Sequence, residues 1–119
     1  MKDGFIRVGA ATPKLRVTDI DFNSDSIIHM IKEASDNDCS LLVFPELSIT
    51  GYTCGDLFLQ KAFIDESLNA LYRIADETAD INIVAVIGLP FIFEGKLYNV
   101  GAVVSKGEVL GLVPKRYIP

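Results

Sequence analysis

Two charged residues of this 119-residue chain occupy matching positions: Glu46 follows Phe44-Pro45, and Lys115 follows Val113-Pro114, each behind an apolar run. Proline has no N–H to extend a ladder, so both segments leave a sheet where the charge begins. In open α/β sheets, ligands bind outside the carboxyl ends of the strands. A carboxylate and an ammonium at two such exits can therefore share one crevice, as a general base and an electrostatic partner for an oxyanion. Partial desolvation would push the Glu46 carboxyl upward. If the two strands lay side by side, the ammonium would oppose that shift by favouring the ionised form. Taken singly, each residue reads more readily as a solvated loop charge than as a catalytic group.

Other residue types add little chemistry on their own. Cys54 lies between Gly51 and Gly55, only eight positions after Glu46. A thiolate is the usual partner of such a pair, but closeness in sequence supplies no attack geometry. Cys39 opens an apolar segment and reads as a small packing residue. His29, the sole histidine, sits on a helical stretch with no Ser/His/Asp or Cys/His constellation around it and reads as a surface residue. With two cysteines and no CxxC spacing, neither a disulfide framework nor a zinc site is expected. No metal site and no Gly-rich phosphate loop is present as a motif.

The elements that must position Glu46 and Lys115 follow from hydrophobic period. Residues 5–11 alternate as a first strand, stopped by Thr12-Pro13. Asp19 or Asp21 can cap a helix whose stripe is Ile20, Ile27, Ile28, Ile31 and Ala34, ending at residues 35–38. Residues 39–44 make a second strand. Asp56 can open a second helix carrying Phe63, Ile64, Leu68, Leu71, Ile74 and Ala75, which ends near residues 78–80. Residues 81–89 form a third strand. Phe91-Ile92-Phe93, a turn at Glu94-Gly95-Lys96 and residues 97–105 read as a hairpin, and Lys106-Gly107-Glu108 turns the chain into residues 109–113. The fold class is α/β: a mixed sheet, antiparallel toward its end, with two helices.

Composition narrows the partners. The chain is half hydrophobic with a mean hydropathy of +0.33, a high apolar load for at most one domain, so some apolar surface is expected to meet another chain or further sequence. A formal net charge of −5 and a pI near 4.7 argue against nucleic acid and anionic membranes, and Lys115-Arg116 is the only adjacent basic pair. The apolar run 83–89 ends at Pro90, far short of the roughly 20 residues a membrane span needs. Met1-Lys2-Asp3-Gly4 leads into alternating residues rather than a signal-peptide core. A cytoplasmic location is the expectation.

Phe44-Pro45-Glu46-Leu47 with Thr50-Gly51-Tyr52, the later Gly107-Glu108-Val109 and Gly111, and Pro114-Lys115-Arg116-Tyr117-Ile118-Pro119 resemble the nitrilase, or carbon–nitrogen hydrolase, superfamily. The stretch from Phe44 to Gln60 most resembles the amino-terminal glutaminase domain of glutamine-dependent NAD synthetases. The resemblance implies a four-layer α-β-β-α sandwich of which residues 1–119 form the first part, with two helices on one face of the sheet. It implies a Glu-Lys-Cys triad in which Glu46 is the base and Lys115 stabilises the oxyanion, while Tyr52 matches a position that helps to hold glutamine. The family's nucleophilic cysteine lies on a later strand, downstream of the lysine, so Cys54 is not that cysteine. A homo-oligomer and a carboxy-terminal synthetase domain using ATP and Mg are further implications, with no cofactor on this chain itself. The chain alone is then expected to hydrolyse no glutamine. Two other readings are another carbon–nitrogen hydrolase, acting on a linear amide, a nitrile or an N-carbamoyl compound, and a non-catalytic assembly module.

Overall fold

A computed structural model describes residues 6–51 and 60–115. In chain order these form β1 (Val8–Ala10), α1 (Ile20–Asp36), β2 (Leu41–Val43), α2 (Lys61–Glu77), β3 (Val84–Phe93), β4 (Lys96–Ser105) and β5 (Glu108–Pro114). The strands make one sheet in the order β1-β2-β3-β4-β5. The first three are parallel, and β4 and β5 add on antiparallel. Parallel neighbours need a long crossover, which α1 and α2 supply, whereas antiparallel ones need only a tight turn. Both turns are two residues long, Glu94-Gly95 and Lys106-Gly107, with every φ positive. That geometry matches the right-handed twist of the flanking strands, and glycine at the second position relieves half of its steric cost.

Alternation along the strands divides the sheet into two unlike faces. Leu42, Ala85, Ile87, Leu89, Val100, Ala102 and Val104 join Ile27, Ile28 and Ile31 of α1 and Leu71, Ile74 and Ala75 of α2 in one buried cluster, so both helices cover the same face. Each fully buried aliphatic side chain there contributes roughly 1.5–3 kcal/mol. On the opposite face Val8, Val43 and Val113 are exposed, the last by 61%. The surplus of apolar residues thus has a location: a sheet face on which the described residues place no second layer.

Asp19 is the α1 cap, its side chain accepting from the Phe22 N–H at 3.1 Å, and Asp21 lies in the first turn. On the helices' outer surface Arg73 of α2 bonds Asp25 of α1 and Glu77, and these partners, Asp25 foremost, raise its pKa.

The described part of α2 begins at Lys61 with Gln60 at its N-cap position, and the expected start at Asp56 lies outside the described residues. Two expectations need correction. The second strand is shorter than residues 39–44, although flanking bonds, Ser40 N–H to Arg7 O and Phe44 N–H to Val86 O, continue its ladder. Pro90 does not separate a third strand from a hairpin arm, because β3 runs through it in register with Asn99. Even-numbered residues of β3 turn their N–H and C=O toward β2, as Val86 and Gly88 do, and β2 has ended before that level. Proline there forfeits no ladder bond.

Candidate active site

Glu46 is placed by a loop that crosses β3. After Phe44, residues 45–51 fold over that strand and take up the bonds that β2 relinquishes. Gly88 receives the Ile49 N–H at its carbonyl (3.1 Å), and the Ser48 hydroxyl accepts from the Gly88 N–H (3.1 Å). Leu47 accepts the Gly51 N–H at 2.7 Å, closing a single turn, and itself adopts φ 53°. A left-handed residue with a Cβ costs about 1–2 kcal/mol, so strain is stored next to Glu46. A Cβ on residue 88 would lie 2.4 Å from the Leu47 nitrogen and 2.6 Å from the Pro45 oxygen, so the loop's seat requires glycine.

The crossing is what joins the two charges. β2 and β5 are not neighbours, contrary to the simplest arrangement of the two exits, because β3 and β4 lie between them. Both nevertheless point the same way, so their carboxyl ends open on one sheet edge, on the face away from the helices. Lys115 Nζ lies 3.2 Å from Glu46 Oε1 and 3.3 Å from Oε2, across 69 residues of sequence. Asn99 of β4 stands between, its Nδ2 donating to Glu46 Oε2 at 3.3 Å and its carbonyl accepting the Lys115 N–H at 2.9 Å. The two charged side chains are 41% and 40% exposed, so Glu46 is neither deeply buried nor a free surface acid. Both side chains thus stand beside each other with part of their surface in solvent.

A second asparagine anchors the loop from the helix side. Asn23 of α1 is fully buried, its Oδ1 accepting the Arg16 N–H (2.7 Å) and its Nδ2 donating to the carbonyls of Arg16 and Ile49 (both 2.8 Å). It sits within the α1 stripe, three residues after Ile20 and four before Ile27, where a polar side chain signals an internal bond. Asn23→Ala leaves three main-chain groups without these partners and is expected to lower stability by about 3 kcal/mol, read as the shift in urea midpoint at unchanged m-value. Loss under about 1 kcal/mol would show that water replaces the bonds.

The remaining candidates separate cleanly. Tyr52 and Cys54 lie outside the described residues. Cys39 is buried, with its thiol donating to Leu41 O, as a packing residue would be. His29 is exposed on α1, 3.4 Å from Glu33. Among the described residues no group of three His, Cys, Asp or Glu is placed to hold a metal, and no helix is long and apolar enough to cross a membrane.

A carboxylate and an ammonium paired at the strand ends of a mixed sheet define the class to which the chain is similar. Residues 7–118 match the model of the carbon-nitrogen hydrolase family, and the chain belongs to that family. The glutamine-dependent NAD(+) synthetase of Mycobacterium tuberculosis is 38% identical over 116 residues, which are 98% of this chain and 17% of that protein. That of Aquifex aeolicus is 38% identical over 103 residues, 87% of this chain and 18% of that protein. The crystal structure of a glutamine-dependent NAD(+) synthetase from Cytophaga hutchinsonii superposes with a TM-score of 0.90 at 32% identity, over 96% of this chain and 19% of that one. The fold is therefore nitrilase-like, and the chain spans less than a fifth of the length of these relatives.

Proposed function

We propose that this chain is the amino-terminal part of a glutaminase domain in a longer glutamine-dependent NAD synthetase, carrying the base and the cation of its amide-hydrolysing site. The observation that supports this most is the Glu46–Lys115 pair, 3.2 Å apart at the mouth of the sheet. Glu46 takes the proton of a cysteine thiol contributed from beyond this chain, and the thiolate attacks the side-chain amide carbon of glutamine. Lys115 stabilises the oxyanion that forms, and the C–N bond breaks as ammonia leaves with a proton returned through Glu46. Water then attacks the thioester as Glu46 again accepts a proton, the C–S bond breaks with that proton returned to the sulfur, and glutamate departs. Tyr52 helps to hold the glutamine. ATP and Mg serve the synthetase portion and act on no residue of this chain. The assembly is a cytoplasmic homo-oligomer.

Glutamine, rather than a nitrile or an N-carbamoyl compound, is favoured by the likeness to synthetases over nearly the whole chain. Ammonia release from glutamine, measured side by side, tests the reading. The longer polypeptide is expected to release it stoichiometrically with glutamate and to prefer glutamine over simple aliphatic amides. The 119-residue chain alone is expected to release none. Release by the chain alone, abolished in Glu46→Gln, would overturn the need for an external nucleophile.

A further inference from the structure

Asn99 is an unusual choice for its place. Asparagine is depleted in strand interiors, yet this one occupies the middle of β4, opposite Pro90, with apolar residues along most of the strand. Alternation turns its side chain to the open face, since Val100 faces the helices and is buried. An ionised carboxylate only accepts, so the side-chain nitrogen must face Glu46. The contact is thus a neutral donor to a charged acceptor at 3.3 Å, while the same residue's carbonyl holds the Lys115 main chain at 2.9 Å. One residue on a strand belonging to neither exit touches both.

We propose that Asn99 is a positioning residue that sets the protonation and orientation of Glu46 through its side-chain amide while its carbonyl seats Lys115. The proposal rests on reading Glu46 as the base. A neutral donor favours the ionised carboxylate without adding a second positive charge, which leaves Glu46 able to accept a proton at neutral pH. It also fixes the carboxylate against β4.

The test titrates the Glu46 side-chain carboxyl by carbon NMR in the full 119-residue chain. Asn99→Ala removes the donor and is expected to raise the midpoint. Asn99→Asp, of the same size, places a second carboxylate against the first and is expected to raise it further, by about one pH unit. In the longer enzyme the acid limb of kcat/KM moves upward in the same order, with kcat/KM at neutral pH down about tenfold in Asn99→Ala. If Asn99→Ala does not fold, the near-isosteric Asn99→Asp decides. A midpoint unchanged or lowered in the folded Asn99→Asp chain overturns the role of Asn99 and leaves that of Glu46 standing. Turnover retained by Glu46→Gln would instead remove the base reading on which the proposal depends.

Discussion

Glu46→Gln is expected to lower glutamine hydrolysis by the longer enzyme roughly 10³- to 10⁴-fold, the span by which a positioned base accelerates proton transfer. Glutamine is nearly isosteric and keeps an oxygen to accept from Asn99, so the loop over β3 has no cause to move. What disappears is the capacity to take a proton, along with the charge facing Lys115 at 3.2 Å. The loss should fall on kcat rather than KM, because the missing interaction belongs to the transition state. Stability should change by less than about 1 kcal/mol, since both partners are two-fifths exposed and water screens the pair. Steady-state kinetics and thermal unfolding of the same preparation check both halves. A kcat within tenfold of the parent would show that another group accepts the proton.

Gly88→Ala should do the opposite, damaging the fold first and the chemistry through it. The new Cβ meets the Leu47 nitrogen, the Pro45 oxygen and the Glu46 carbonyl carbon at 2.4, 2.6 and 2.9 Å, and all three are main chain. No rotamer change relieves such contacts, so the loop must lift from β3 or the strand must bend. Overpacking of this kind costs about 3 kcal/mol. The Ile49 and Ser48 bonds to Gly88 lengthen with the loop, and Glu46 is carried off its seat beside Asn99 and Lys115. A lowered urea midpoint together with a fall in hydrolysis at temperatures where the variant stays folded is the expected result. Full activity in a destabilised variant would separate the loop's seat from the placement of Glu46.

Most elements were legible because local periodicity carried them. The α1 stripe and the α2 positions from Phe63 to Ala75 express a neighbour relation along the chain that burial repeats, and both turn glycines take up the positive φ of their turns. Pro90 was misleading because proline's effect depends on whether a partner strand lies on its N–H side, and that depends on where β2 ends. Asn23 and Asn99 stand as polar residues inside apolar patterns, but the loop residues they bond, Ile49 and Glu46, are 26 and 53 residues distant.

Sequence by itself determined that an acidic residue and a basic one each follow an apolar run and a proline, because apolar runs of that length encode strands. It did not determine that they meet. Their strands are separated by two others, and contact arises only because a loop crosses β3 at a residue without a side chain and finds Asn99 on the far side. Closeness of that kind is a property of layering and register, set by where the whole sheet buries its apolar face, and no spacing along the chain expresses it.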